Sequence, residues 1–303
     1  MKQNSKNQLL GSVLLLICAF IWGSAFVAQT TGAEYVEPFT FICLRNILGG
    51  GVLLPVIAVS DLFKKRKGTY RKPDKKEKKT LLTGGICCGA ALCLASVFQQ
   101  AGLDRGTDPG KAGFITALYI LLVPLSSLFM KKKVRPIVWV CIAASVVALY
   151  LLCVTESNSV ALSDVLVLIC AALYTVHILV IDRVSPYVDG IKLSSIQFFV
   201  ASAISFLPAL IFEGFDAEMI MAAMPSIAYA GIMSSGVAYT LQILGQQRTE
   251  PTLASMIMSL ESVFAVLTSM LVLHLSPTPR EAIGCVIMFA AIIVAQLPEK
   301  KKI

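Results

Sequence analysis

Ten long apolar runs follow one another along the chain, separated by short polar or basic stretches. Each run has about the 20 residues that a helix needs to cross a bilayer. Backbone N–H and C=O groups in hydrocarbon must bond within their own segment, so each run is predicted to be a helix. The pattern therefore predicts an all-α, polytopic membrane protein with ten transmembrane helices. The predicted segments are 9–30, 38–60, 80–99, 109–130, 136–154, 161–181, 191–212, 221–243, 252–274 and 279–297.

The composition supports this prediction. Of the 303 residues, 56% are hydrophobic and 15% are charged, whereas a typical soluble domain is about 25% charged. Too few polar residues remain to cover a soluble surface, so the lipid bilayer is the expected partner of much of the outside. The nine cysteines fall inside apolar runs without the spacing of a zinc or redox motif, which is typical of packing residues. We therefore expect no metal and no cofactor.

The basic residues predict the orientation of the chain in the membrane. If the N-terminus is cytoplasmic, 22 Lys and Arg residues fall in cytoplasmic segments and 3 in outer ones. Basic residues concentrate in cytoplasmic loops, so we expect a multi-pass protein of the cytoplasmic membrane with both termini in the cytoplasm. The basic run 64–79 is then a topology signal, with lipid binding as the alternative. The net charge of +8 gives no indication of nucleic-acid binding.

Two sequence matches indicate an internal repeat. VLLLICA at 13–19 recurs as VLVLICA at 165–171, an offset of 152, with six of seven positions identical. RGTDPGKA at 105–112 resembles RTEPTLA at 248–254, at an offset of 142 to 143. The chain then divides into two sets of five helices. Because five is odd, the second set is predicted to cross the membrane in the inverted orientation, as in many secondary transporters. The two predicted halves are 9–154 and 161–297.

Short motifs in four of the spans resemble those of a known family. The first span carries WG at 22–23, the second opens at Pro38 with Arg45 seven residues on, the ninth reads SLESVF at 259–264, and the tenth carries AIG at 282–284. Together they make the chain similar to the drug/metabolite transporter superfamily, EamA type. The resemblance covers nearly the whole chain and implies ten helices in two EamA domains. It also implies transport of small organic molecules, often amino acids or other metabolites, by alternating access.

The chain departs from the family pattern at two places. Ser262 stands where a proline usually follows the glutamate. His274 stands near the position of a second glutamate, and Lys131–Lys133 occupy the related place in the first half. The role of that second acidic position therefore does not carry over by resemblance.

Glu261 lies in the middle of an apolar run, nine residues after Thr252 and near the predicted bilayer centre. A charge at this depth costs about 2.5–3.5 kcal/mol on insertion scales, so such residues normally face a cavity or a partner. Three interpretations stay open. Glu261 binds a cationic group of the substrate, carries a proton, or pairs structurally with Arg45 or a hydrogen-bonding residue.

Arg45 is a second charge within a span. Seven residues after Pro38, it lies about 10 Å along the helix. A guanidinium stays charged and needs an acceptor. Arg45 could therefore clamp a substrate carboxylate, extend to the outer headgroups, or pack on helix-end carbonyls.

Further cavity candidates come from aligning the two halves. Tyr119 aligns with Glu261 at an offset of 142, and Trp22 aligns with Tyr174 at an offset of 152. These aromatic side chains suit the walls of a central cavity, although core packing explains them as well.

Three polar residues complete the set of candidates. His177, in the sixth span, is expected either as a satisfied core histidine or as a proton relay. Gln242 and Gln99 lie near span ends, where an amide group could line a transport pathway.

These observations predict a secondary transporter that moves a small, amino-acid-like or related metabolite across the cytoplasmic membrane. The resemblance favours export. The alternative is a non-transporting membrane scaffold or sensor, and a homodimer stays open. No enzyme is expected, because the chain lacks H-E-x-x-H, G-x-S-x-G and a correctly spaced phosphate loop.

Overall fold

The structure, a computed structural model, describes residues 2–105, 107, 109–129, 131, 134–153, 161–273 and 278–297. Residues 154–160, which link the two predicted halves, lie outside these ranges. His274, Lys132 and Lys133, three of the positions at which the chain departs from the family pattern, lie outside them too.

Helices account for nearly all of the described residues, and none of these residues forms a strand. A 3₁₀ turn spans Ser185–Tyr187, and π-helical segments span Ala209–Glu213 and Ala230–Tyr239. The α-helices are α1 (Lys2–Ala33), α2 (Pro38–Arg66), α3 (Lys75–Asp104), α4 (Pro109–Ala117), α5 (Tyr119–Phe129), α6 (Pro136–Cys153), α7 (Leu162–Val184), α8 (Gly190–Pro208), α9 (Ala217–Tyr229), α10 (Thr240–Gln246), α11 (Pro251–Met258), α12 (Glu261–Leu273) and α13 (Pro279–Gln296).

Nine spans within the described ranges are long and apolar enough to cross a membrane, and a tenth apolar helix, Pro136–Leu152, is shorter. α4 and α5 together form the fourth span, α9 to α10 the eighth, and α11 and α12 the ninth. Large apolar side chains such as Val140, Leu207 and Val286 are exposed on the outside of the bundle, where lipid can cover them. The predicted all-α, polytopic membrane fold is confirmed.

The helix contacts repeat when the two halves are exchanged. α3 packs on α7 as the eighth span packs on α1, and the fourth span packs on α7 as the ninth packs on α1. α2 packs against the eighth span as α8 packs against α3. α2 and α8 are equivalent helices of the two halves and pack on each other, and so do the equivalent helices α6 and α13. Each half therefore completes its packing against the other half.

Close approaches at glycines repeat in the same way. A Cβ atom at Gly102 would lie 2.4 Å from Val167 Cγ2 and 3.1 Å from the Ser163 carbonyl oxygen. A residue without a Cβ is therefore needed for α3 to approach α7 this closely. The equivalent close approach joins α10 to α1. There, a Cβ atom at Gly245 would meet the Leu15 side chain and the Gly11 carbonyl oxygen.

The fourth and ninth spans are interrupted at matching positions. The Leu118 N–H bonds to the Ile115 carbonyl at 3.1 Å, and the Leu260 N–H bonds to the Ile257 carbonyl at 3.1 Å. Both are i−3 bonds, tighter than those of an α-helix, and the two pairs are related by an offset of 142. Each break starts a new helix in the middle of its span. The residues that begin these helices are Tyr119 and Glu261.

Two crossed ion pairs join one end of α2 to the start of α8. Lys64 Nζ lies 2.8 Å from Asp189 Oδ2, and Lys192 Nζ lies 2.8 Å from Asp61 Oδ2. Asp189 also caps α8, because its carboxylate accepts the N–H groups of Ile191 and Lys192. This end of the α2–α8 pair is thus held by side chains from both halves.

The other end of the same helix pair is held by Glu213. Its carboxylate accepts the N–H of Phe39 at 2.8 Å and the N–H of Thr40 at 2.7 Å. These donors have no partner within α2, since they belong to its first turn. A residue of the second half therefore caps a helix of the first.

Asp189→Ala is expected to lower the free energy of unfolding by about 1–2 kcal/mol, because it removes an N-cap and an ion pair. Burial alone would raise the pKa of Asp189, but the Lys64 hydrogen bond and the Lys192 N–H outweigh it, and the pKa is lowered. The stabilisation is therefore full at neutral pH and is lost only as the pH falls below 3.8, the ordinary value. Unfolding in detergent at several pH values measures this.

The matched control is Asp216→Ala, which removes the N-cap of α9. We expect a loss of about 1 kcal/mol or less from this cap. A variant with Asp189→Ala that unfolds like the unmodified protein at pH 7 would contradict the proposed stabilisation.

Gly23→Leu is expected to disrupt the contact between α1 and α12. A Cβ atom at Gly23 would lie 2.6 Å from the Glu261 carbonyl oxygen and 2.8 Å from the Ala265 nitrogen, both backbone atoms. A Cβ atom at Gly51 in α2 would have no neighbour within 4 Å. Gly51→Leu should therefore keep its melting temperature and monodispersity, whereas Gly23→Leu should lose both. Equal behaviour of the two variants would show that the close approach is not required.

Candidate functional site

A cavity of about 200 Å³ lies between the helices of the two halves. It is smaller than the roughly 300–1,000 Å³ pockets that hold drug-sized ligands, so it suits a small solute. Its lining includes all eight side chains that the sequence singles out as cavity candidates. These are Trp22, Arg45, Gln99, Tyr119, Tyr174, His177, Gln242 and Glu261.

The Tyr119 hydroxyl donates to Glu261 Oε1 at 3.2 Å, which joins the fourth span to the ninth. The two residues occupy equivalent places in the halves, each directly after a helix break. Glu261 therefore lies at the N-terminus of α12, where the helix dipole favours a negative charge. Gly23 lets α1 approach the backbone of Glu261. The acid thus projects from an interrupted helix into a polar cavity rather than into lipid.

Aromatic rings form one wall of the cavity. The rings of Trp22 and Tyr239 meet edge to face with centroids 4.7 Å apart. Tyr239 also contacts the rings of His177 and Phe198, with centroids 6.0 and 5.7 Å away. Trp22 Nε1 is buried and has no hydrogen-bond partner among the described residues. The wall therefore offers an apolar face to a ligand.

His177 is fully buried and shares a hydrogen bond with Gln197, with 3.0 Å between Nε2 and Oε1. Because an amide oxygen can only accept, Nε2 carries the proton in this bond. In the neutral ring Nδ1 is then an acceptor, and it has no partner within the described residues. His177 thus lies in the core and also lines the cavity.

Arg45 is only 6% exposed and lines the cavity, so its side chain does not extend to the surface. Tyr174 and Tyr239 line the same cavity. A Cβ atom at Gly231 would lie only 2.9 Å from the Arg45 carbonyl oxygen, so the glycine allows α2 to approach the eighth span closely. The guanidinium is therefore held near the aromatic wall by the packing of its own helix.

Several lining residues were not identified from the sequence. Thr116 and Tyr239 lie three residues before Tyr119 and Gln242 respectively. Residues three apart share a helix face, so this spacing could have identified them. Ser96 and Met258 also line the cavity, and no signal in the sequence indicates this. Within the described residues, no cluster of three His, Cys, Asp or Glu side chains could hold a metal ion.

The cavity borders one face of the bundle. Val36, Glu37 and Pro38, at the connection between α1 and α2, line its edge. A second cavity, of about 1,080 Å³, lies at the start of α11 and near the end of α13. Gln246 lines this second cavity and donates through Nε2 to the carbonyl oxygen of Ile178, which lines the first, at 3.0 Å. A thin layer of side chains therefore separates the two spaces.

Known proteins resemble this chain along nearly its whole length. It is 29% identical over 286 residues to an uncharacterised transporter of Archaeoglobus fulgidus, covering 93% of this chain and 84% of that protein. It is 20% identical over 293 residues to the uncharacterised transporter YwfM of Bacillus subtilis, covering 96% and 95%. A solved crystal structure has the same fold, with a TM-score of 0.77, 19% identity and coverage of 94% and 96%.

A family model gives the assignment. The model of the EamA-like transporter family matches residues 9–154 and again residues 161–296. Both matches together cover most of the chain, and the ten apolar helices agree with them. The chain is a member of the EamA-like transporter family and a membrane transporter.

Proposed function

We propose that the protein is a secondary transporter that moves a small, amino-acid-like metabolite across the cytoplasmic membrane by alternating access. The observation that carries this proposal is the cavity, which gathers charged, aromatic and amide side chains from both halves around Glu261. A polar cavity inside an apolar bundle gives a solute a place to bind away from lipid. Membership of a transporter family supports the same function.

The two halves, 9–154 and 161–297, are proposed to be inverted repeats. The exchange of helix contacts between the halves supports this. The paired helix breaks and the paired glycine approaches, related by nearly constant offsets, support it as well. In transporters built this way, the substrate site lies where the repeats meet. Tyr119 and Glu261 are at such a meeting point.

We propose that the first cavity faces the outside and the second faces the cytoplasm. The first borders the connection between α1 and α2, which is an outer connection if both termini are cytoplasmic. Movement of one half against the other would close the outer edge and open the layer formed by Gln246 and Ile178. Export then requires the reverse cycle, in which the solute enters from the second cavity.

Glu261 and Arg45 are proposed to bind opposite ends of the solute. A carboxylate favours an ammonium group or a proton, and a guanidinium favours a carboxylate. Both line the same small cavity. A zwitterion of amino-acid size is the solute that this pair of charges suits best.

Glu261→Gln is expected to lower solute flux into proteoliposomes by roughly tenfold or more, because it removes a charge-assisted hydrogen bond. Tyr119→Phe removes only the hydroxyl that contacts Glu261, and should lower flux by roughly three- to tenfold. Radiolabelled amino acids and related metabolites, with and without a pH gradient, provide the measurement.

The control is Glu218→Gln, which changes an exposed acid at the start of α9 and should leave flux unchanged. Flux through Glu261→Gln at the unmodified rate, with the same response to the pH gradient, would remove Glu261 from the mechanism. Absence of flux for every solute in the unmodified protein would favour the scaffold or sensor alternative.

Thiol labelling in intact cells tests the proposed orientation. In a variant without the native cysteines, Thr69→Cys lies between α2 and α3, and Glu34→Cys lies between α1 and α2. A membrane-impermeant reagent added outside should label Glu34→Cys and leave Thr69→Cys unmodified until the cells are opened. The reverse pattern would invert the proposed topology.

A further inference from the structure

The eighth span has one more residue than the third span between two equivalent glycine contacts. Gly89 approaches the Gln197 carbonyl, and Gly231 approaches the Arg45 carbonyl, so these glycines correspond at an offset of 142. Further along, the equivalent contacts of Gly102 and Gly245 correspond at an offset of 143. The eighth span therefore contains one extra residue between its two glycine contacts.

A π-helical segment accommodates this extra residue. Ala230–Tyr239 begins at the first of the two glycine contacts of the eighth span and ends before the second. π-helical turns, which are frequent at functional sites, fit more residues into each turn than an α-helix does. The third span has no such segment within α3 (Lys75–Asp104). Beyond the insertion, the offset of 143 makes Gln242 the counterpart of Gln99.

The two glutamines have different partners. Gln99 Nε2 donates to Thr116 Oγ1 at 2.9 Å. The counterpart of Thr116, at an offset of 142, is Met258, whose thioether donates nothing and accepts weakly. Gln242 is 1% exposed, and its Oε1 has no hydrogen-bond partner in the part of the chain that the structure describes.

We propose that Gln242 is a specificity-determining residue of the cavity, where its Oε1 accepts a hydrogen bond from an N–H or O–H group of the transported solute. A buried acceptor without a partner is unfavourable, so a solute N–H or O–H group that donates to Gln242 Oε1 forms a hydrogen bond that none of the described residues supplies. This inference rests on the proposed function, since it concerns the same cavity.

The neighbouring groups narrow the class of solute. Glu261 and His177 line the same cavity, and His177 Nδ1, an acceptor when the ring is neutral, has no partner within the described residues. Together with Gln242, the lining therefore includes three residues with acceptor atoms from three different spans. A solute with several N–H donors, such as a primary ammonium group, satisfies them, whereas a trimethylated ammonium group keeps the charge and donates no N–H.

The test compares amino acids with their N,N,N-trimethyl derivatives, which retain the charge and lose the donors. Protection of the purified full-length protein against thermal unfolding gives an apparent affinity for each member of a pair. We expect the unmodified protein to prefer the N–H member by at least roughly tenfold, about the factor that one hydrogen bond to a buried acceptor supplies. Gln242→Met should lower this preference by roughly the same factor, and any preference that remains is the contribution of Glu261 and His177.

Gln99→Met is the matched control, because it changes the equivalent glutamine, whose amide is already bonded to Thr116. Whatever its effect on absolute affinity, the preference for the N–H member should persist. Gln242→Glu keeps acceptor oxygens at this position and should also retain the preference, which covers the case in which Gln242→Met does not fold. Met258→Thr places a hydroxyl that can donate to Gln242 Oε1, and this internal hydrogen bond should weaken the preference while leaving Gln242 in place.

The inference is overturned if Gln242→Met retains the preference, if the unmodified protein shows none, or if no member of any pair binds. Flux separates this inference from the proposed function. Binding with the expected preference but without flux would contradict the proposed transport function and support the role of Gln242. Equal flux of both members of a pair would support transport and contradict the role of Gln242 in specificity.

Discussion

A carboxylate in the middle of a lipid-embedded bundle must be surrounded by protein groups or water, because hydrocarbon does not solvate its charge. Much of the central architecture follows from meeting this requirement at Glu261. The ninth span breaks after Met258, two residues of turn follow, and the acid begins a new helix. Tyr119 donates a hydroxyl to it from the equivalent break in the fourth span. The cavity beside both residues provides the polar space.

The close packing around this cavity comes from contacts that occur twice. Glycines allow α3 to approach α7 and α10 to approach α1 at equivalent places. The pair α2 and α8 is held at both ends by ion pairs and a cap that cross between the halves. The proposed alternation between two faces requires two arrangements of the halves with similar energies, and near-equivalent contacts are compatible with this requirement. The π-helical insertion in the eighth span is where this equivalence fails, and it lies at the cavity.

The sequence allowed much of the fold to be predicted. Apolar runs alone located the ten spans, because lipid requires continuous apolar helices. The offset of 142 aligned Tyr119 with Glu261, and the structure brings these two side chains into contact. Proline was a poor guide to helix interruption. α5 continues through Pro124, whereas its span breaks at Leu118, where the sequence has neither proline nor glycine.

Other parts of the site could not be predicted because they depend on tertiary contacts. A one-residue insertion in an apolar span leaves no pattern in a single sequence, and only the glycine contacts locate it. Gln99 and Gln242 look alike in sequence, and only the presence of Thr116 beside one of them distinguishes the two. Arg45 could have extended to the headgroups, and the packing of α2 against the eighth span instead keeps it buried.

Water access to the position of Glu261 tests the central claim most directly. Glu261→Cys, in a variant whose other cysteines are replaced, can be exposed in proteoliposomes to a charged, water-soluble thiol reagent and to a lipid-soluble one. If the acid projects into a hydrated cavity between the halves, the charged reagent modifies the thiol at position 261. Modification by the lipid-soluble reagent alone would place this position in hydrocarbon and contradict the account.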